Sequence, residues 1–248
     1  MEEKQNYLIY GRHPVVDAIQ SGRAVDKLYL QQGTRGDFEK EIRQLSKEYD
    51  IPLQVVPKEK LSRFTKANHQ GIVGFLAMIE YYLLEDVLPG IFEKSETPLL
   101  LLLDGITDVR NLGAIARSAE CVGAHALVVP RKGSAQINPE AMKASAGALA
   151  RIPVCRVHSM VNAVDYLQQS GIQVIASSLQ AQKKVFELDL TQPIAIIVGA
   201  EGEGISPALE KKSNELFVIP QLGKMDSFNV SVAAGIILYE AMRQRMLL

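Results

Sequence analysis

From Pro98 onward the chain is written in short, unbroken apolar runs. "PLLLLLD", "HALVVP", "PVCRV", "IQVIAS", "PIAIIVG" and "ELFVIP" follow one another before residue 221. A strand with one wet face alternates apolar and polar residues, whereas a continuous run is buried on both faces. Helical patterns separate the runs, at Asn111–Val122, Pro139–Ala150, Val161–Gln169 and Pro207–Ser213. That rhythm predicts an α/β unit in which a mostly parallel sheet lies between layers of helices. On such sheets ligands gather beyond the carboxyl ends of the strands. The residues that follow each run are therefore where function is sought.

Residues 1–78 read as a smaller, separate α/β unit. A helix follows His13, a strand covers "DKLYL" and a helix "DFEKEIRQLSKEYD"; a strand at "PLQVV", a short helix near 58–66 and a strand at "GIVGFLAM" complete it. Residues 79–97, acidic and interrupted by proline, are expected to be an irregular linker to a third segment, 98–248. With 47% hydrophobic residues there is material for a core in each unit. No uncharged apolar stretch of roughly 18 residues precedes the last helix, which itself carries Glu240 and Arg243. The charged start "MEEKQNYLIYGRHP" has no apolar signal-peptide centre, so a cytoplasmic protein without a membrane span is expected. Cys121 and Cys155, both in apolar surroundings, read as small buried thiols. His13, His69, His125 and His158 lack metal-ligand spacing, so no metal is expected. A net charge of −1 gives no global sign of nucleic-acid binding, although residues 131–156 carry five basic side chains against Glu140 alone.

Three strand ends are chemically loaded. In "LDGITDVRNLGAIARSAECVG" the strand ends at Asp104–Gly105, and Leu112, Ile115, Ala116, Ala119 and Val122 form the apolar face of the next helix. Arg117 points the other way beside small residues, which leaves room for a ligand; an ordinary surface arginine fits the spacing equally well. "IIVGAEGEGIS" places glycines at 199, 202 and 204 after a buried strand, in an order that is neither the dinucleotide fingerprint nor a Walker loop. Finally, "IPQLGKMDSFNVSVAAGIILYEAMRQR" joins a polar loop to a helix that is apolar on most faces. Such a helix has to be buried by its own chain or by another, and the loop must then bond to itself or hold something. By residue type alone, Asn111 and Asn229 read as helix caps, Ser227 as a turn residue and Glu201 as a loop charge.

Taken together and in this order, the three stretches closely resemble the three motifs of the SpoU (TrmH-like) branch of the SPOUT RNA methyltransferases. The likeness covers about 98–248. The N-terminal part, with "IYGRHPVVDAI", resembles the small ribosomal-protein-like RNA-binding domain of the subgroup that 2′-O-methylates a guanosine of large-subunit rRNA. The resemblance implies an α/β trefoil-knot domain, one of the rare knotted folds, and a homodimer packed through the last helix. It implies S-adenosylmethionine held largely by main-chain groups at Gly199, Ile219 and Phe228. The reaction implied is methyl transfer to a ribose 2′-hydroxyl of RNA, with rRNA favoured over tRNA. Arg117 matches the catalytic arginine. Its guanidinium is a poor base, and electrostatic stabilisation of the developing alkoxide together with phosphate anchoring suits it better. Asn111 and Glu201 match groups that position the arginine or the substrate, and Ser227 and Asn229 match the pair near the reacting centre. Many relatives carry Leu at the position of Phe228 and "SVSS" where this chain has "KMDS". A non-catalytic RNA-binding relative would have lost the motif arginine or the glycine loop; this chain keeps both.

Overall fold

The computed structural model describes residues 7–247, so the charged leader at residues 1–6 lies outside it. The chain divides into two compact units, before and after the boundary between Glu80 and Tyr81.

In the first unit, β1 (Leu8–Tyr10), α1 (Arg12–Gln20), β2 (Val25–Gln31), α2 (Asp37–Glu48), β3 (Leu53–Val56), α3 (Lys58–Phe64) and β4 (Ile72–Leu76) follow in turn. The four strands form a sheet ordered β1-β4-β2-β3, in which β2 and β3 are parallel and the other pairs antiparallel. Alternation along β2 sends Leu28 and Leu30 to one face, where they meet Val15, Ile19, Ile42 and Leu45 of α1 and α2. Tyr29 goes to the other face, onto Leu61 of α3, Val73 and Phe75. Both faces of this small sheet are therefore buried.

The second unit runs β5 (Tyr81–Tyr82), α4 (Leu84–Glu93), β6 (Leu99–Asp104), α5 (Val109–Cys121), β7 (Ala126–Pro130), α6 (Pro139–Ala144), β8 (Val154–Val157) and α7 (Met160–Gln169). It continues through β9 (Gln173–Ser177), β10 (Ile194–Gly199), α8 (Pro207–Lys212), β11 (Glu215–Phe217) and α9 (Val230–Arg245). The sheet is ordered β11-β9-β10-β6-β7-β8-β5 and every pairing is parallel. Leu99–Leu103 of central β6 are at most 1% exposed, as a strand buried on both faces requires. From β6 the chain moves towards β7 and β8; from β10 it moves the opposite way, to β11. The neighbouring carboxyl ends of β6 and β10, where Asp104 is paired with Gly199, form a switch point.

Two expectations are corrected here. The stretch at 79–97 is not an irregular linker, because β5 adds to the sheet beside β8 and α4 buries Leu84, Leu88 and Ile91. Their i, i+4, i+7 spacing gives a helical face whose burial outweighs the cost of Pro89 inside the helix. Cys121 is exposed at the end of α5, whereas Cys155 is buried and its thiol is pushed up to about 12, first by desolvation and then by Glu85 and Asp86.

Helix α5 is held between α6 and α9. A Cβ on Gly113 would lie 2.6 Å from Ala144 Cβ and 2.7 Å from the Ala141 carbonyl, so α6 packs against bare backbone at that point. At the far end of α9 the Arg245 guanidinium donates to the carbonyls of Thr97, Pro98, Leu190 and Gln192, at 2.7 to 2.9 Å. That tie fixes the last helix against the entrances to β6 and β10. No described helix is long and apolar enough to cross a membrane, and no cluster of metal-ligating side chains occurs among the described residues.

Candidate active site at the switch point

Asp104 closes β6 with a carboxylate rather than another apolar side chain. Its Oδ2 accepts the Ser206 backbone N–H at 2.8 Å, tying the end of β6 to the entry of α8. Between these anchors the segment 200–205 folds back on itself, Gly204 N–H donating to the Ala200 carbonyl at 2.9 Å. Gly202 (φ 83°) and Gly204 (φ 72°) occupy the left-handed region that this reversal needs. Gly199 is different: its φ is ordinary, but a Cβ there would lie 2.1 Å from Gly204 C and O and 2.4 Å from Ile205 N. Glycine is required at 199 because the loop's own backbone occupies that space.

A cavity of about 510 Å³ opens against this loop. Gly199, Ile219 and Phe228 line it, as do Glu201 and Ser227. Its size falls in the range of small-molecule sites, roughly 300–1,000 Å³. Glu201, Glu203, Glu210 and Asp226 are in the lining and no Lys or Arg is, so the cavity suits a ligand bearing positive charge. Ser177, which closes β9, and Ser178 and Gln180, which follow it, also line the cavity and are not singled out by the sequence reading. The signal was present, since "SSLQ" ends a buried strand as the other loaded loops do.

Beside the cavity three of the expected residues meet. Asn229 Nδ2 donates to Asn111 Oδ1 at 3.2 Å and to Glu201 Oε2 at 3.4 Å. Its Oδ1 accepts from Ser231 N at 3.0 Å and Ser231 Oγ at 2.6 Å, capping α9. Asn229 is therefore a helix cap and a bridge at once. Asn111 is not a cap: Asp108 fills that position on α5, accepting from Arg110 N at 2.7 Å and Asn111 N at 3.2 Å. Those two backbone bonds, the largest causes, hold the Asp108 carboxyl below its usual range. Asn111 thus sits inside the first turn with its amide turned to Asn229.

Arg117 is not brought into this cluster by any hydrogen bond. Six residues along an ideal helix is a turn of about 120° and a rise of about 9 Å, so Arg117 leaves α5 on a different side from Asn111. It is exposed and makes no hydrogen bond or ion pair with any described residue. Ser227 is likewise exposed at the cavity.

Comparison with known proteins supplies the frame for this geometry. Residues 98–239 match the SpoU rRNA Methylase family, and residues 8–82 match the RNA 2′-O ribose methyltransferase substrate-binding family. The chain is 34% identical to the TrmH family tRNA/rRNA methyltransferase YacO of Bacillus subtilis (strain 168), over 99% of this chain and 98% of that one. Among solved structures, the AdoMet-bound rRNA methyltransferase from Sinorhizobium meliloti superimposes with a TM-score of 0.62 at 25% identity. That match covers 98% of this chain and 88% of the other. The TrmH/SpoU tRNA modifying enzyme of A. aeolicus is 32% identical with a TM-score of 0.57, and covers 61% of this chain and 77% of its own.

Proposed function

This chain belongs to the SpoU rRNA methylase family of RNA 2′-O-ribose methyltransferases, with the SPOUT α/β trefoil-knot fold in its larger unit, and on that premise we propose that its substrate is a guanosine of large-subunit rRNA. The observation that carries the reading is the meeting of Asn111, Glu201 and Asn229 beside an anionic, glycine-walled cavity at the switch point. Support for rRNA over tRNA comes from coverage. The rRNA enzyme of S. meliloti spans both units of this chain, whereas the tRNA enzyme of A. aeolicus covers 61% of it. On the same reading we infer a cytoplasmic enzyme.

The cavity fits S-adenosylmethionine, which when bound supplies a methyl group activated on a positively charged sulfonium. Glu201, Glu203, Glu210 and Asp226 complement that charge, and the same carboxylates grip the uncharged thioether product more weakly. Main-chain groups around Gly199, Ile219 and Phe228 hold the cofactor, and Phe228 gives it an apolar wall. The ribose oxygen would form its bond to the methyl carbon in line with the breaking bond to sulfur, with the hydroxyl proton passing to solvent water and the neutral thioether leaving. Asn229 positions the Glu201 carboxylate and the Asn111 amide for that task, and Ser227 presents its hydroxyl on the cavity side of the same loop. Arg117, having no partner among the described residues, is the group that anchors an RNA phosphate and stabilises the developing alkoxide.

The enzyme is a homodimer through α9. Val232 (50% exposed), Tyr239 (59%) and Met246 (76%) recur every seven residues and form one apolar stripe along the helix and its end. Sedimentation should give twice the chain mass, and a concentration-independent monomer would count against that stripe as an interface. Ribose-methylation mapping of rRNA and tRNA, with and without the protein, tests the substrate. A methyl mark on tRNA alone would overturn the rRNA assignment.

A further inference from the structure

The first unit contains a second concave site, a cleft of about 1,070 Å³ built from the start of α1, the turn after β2, helix α3 and the segment leading into β4. Arg12, Arg35, Lys58 and Lys66 line it together with His13 and His69, and no carboxylate does. A neighbouring surface of the same unit has the opposite character: Asp37, Glu41 and Glu48 share it with Lys40, which is paired with Asp37. The unit's charge is therefore sorted onto different surfaces.

The cleft's cations are uncompensated. Arg35, Lys58 and Lys66 are exposed and make no ion pair with any described residue. The Arg12 guanidinium lies 4.6 Å from the centroid of the Phe38 ring, which holds it in place without neutralising it. Arg12 and His13 occupy the first turn of α1, which has no acidic residue, although that end of a helix dipole favours negative charge. Two further donors are fixed by the backbone. His69 is 8% exposed, and its Nδ1 accepts the Gly71 N–H at 3.1 Å, which leaves the proton of the neutral ring on Nε2. Gln70 Oε1 accepts the Arg12 N–H at 3.0 Å, which leaves both N–H donors of its Nε2 uncommitted among the described residues. Every feature of the cleft calls for an anion with several separated charges.

Resting on the reading of the chain as an RNA methyltransferase, we propose that this cleft is where the N-terminal unit grips its substrate, by the phosphates of an unpaired RNA strand and without reading the bases. The concavity selects the strand. An A-form duplex presents its phosphates on a convex surface, whereas a single strand can bend into a recess. The lining holds no Phe, Tyr or Trp, so any stacking there falls to His13, His69 and the guanidinium planes of Arg12 and Arg35, which accept every base alike. Affinity is then electrostatic, with a salt slope of about −0.7 per phosphate on a single strand.

The test measures binding of 12-nucleotide oligouridine, oligocytidine and an RNA duplex of the same length to the full chain, by fluorescence anisotropy across a salt series. Removing three cleft charges together, as Arg35→Gln, Lys58→Gln and Lys66→Gln, should lower the salt slope by about 2 and weaken single-strand binding about a hundredfold at 0.1 M salt. Lys40→Gln, outside the cleft, should leave both unchanged. The two single strands should bind within a few-fold of each other, and the duplex more weakly. An unchanged slope in the triple variant, tighter binding of the duplex, or a tenfold preference between uridine and cytidine would each overturn the proposal. Titration of the same proteins with S-adenosylmethionine separates the two readings. Normal cofactor binding beside an unchanged RNA slope removes the cleft assignment alone, whereas failure of the unmodified protein to bind cofactor removes the methyltransferase reading.

Discussion

Replacing Gly199 with alanine tests the architecture of the cofactor site most directly. The added Cβ would lie 2.1 Å from Gly204 C and O, against about 3.4 Å for an ordinary contact, so the backbone at 204–205 must retreat by roughly 1.3 Å. It cannot do so alone, being tied by Gly204 N–H to the Ala200 carbonyl and by Ser206 N–H to Asp104. Overpacking of this kind costs about 1–3 kcal/mol. At about 2–4 °C per kcal/mol for a unit of this size, the melting temperature should fall by roughly 2–12 °C. The displaced loop also lines the cavity. Losing two hydrogen bonds to bound cofactor, at about 1.5 kcal/mol each, weakens binding about a hundredfold. Gly202→Ala is the control: with φ 83° and nothing within 4 Å, it adds strain of about 1–2 kcal/mol but moves no neighbour. Calorimetric titration with S-adenosylmethionine, paired with thermal unfolding, reads both variants. If Gly199→Ala binds cofactor within threefold of the unmodified protein and melts within 2 °C of it, the close approach does not shape the site and the reasoning fails.

Arg117→Ala should leave folding within about 0.5 kcal/mol and cofactor affinity unchanged, since the side chain is exposed and unpaired among the described residues, yet slow methyl transfer about 10²–10³-fold; near-normal turnover on the correct RNA would remove it from the catalytic set. Asn229→Ser keeps an oxygen to cap α9 but lacks the amide that reaches Asn111 and Glu201, so single-turnover rates should fall at least tenfold while the melting temperature barely moves. Asn229→Ala should lose the rate and, with the cap gone, about 1 kcal/mol of stability as well. His125 has its pKa lowered, chiefly by burial, and its Nδ1 accepts the Leu99 N–H at 3.0 Å. Below pH 6.5 the unfolded chain therefore takes up the proton more readily, and this contribution to stability is lost as pH falls further towards the folded pKa. His125→Asn, which keeps an acceptor towards Leu99, should flatten the melting temperature between pH 7.5 and 5.5; an unchanged slope would refute the linkage.

Much of this protein is determined locally, and what is local is legible. Unbroken apolar runs place strands buried on both faces, and the structure returns a seven-stranded sheet that is parallel throughout. The glycines at 202 and 204 announce a chain reversal, and Asn111, Glu201 and Asn229, one from each loaded stretch, meet at one end of the sheet. Helix α4 was missed because Pro89 looks like a terminator until the burial of Leu84, Leu88 and Ile91 is known. Whether Asn229 is a cap or part of the site could not be chosen from spacing, because it is both. Its Oδ1 obeys a local rule, while its Nδ2 reaches Asn111, 118 residues away. Gly199 carries the same lesson, since its necessity comes from backbone folded onto it rather than from its own φ. Sequence periodicity reports which way a side chain faces its own helix or strand. Only the crossing of β10 into the space between β9 and β6 decides what it then meets, because that contact energy belongs to pairs of residues far apart in the chain.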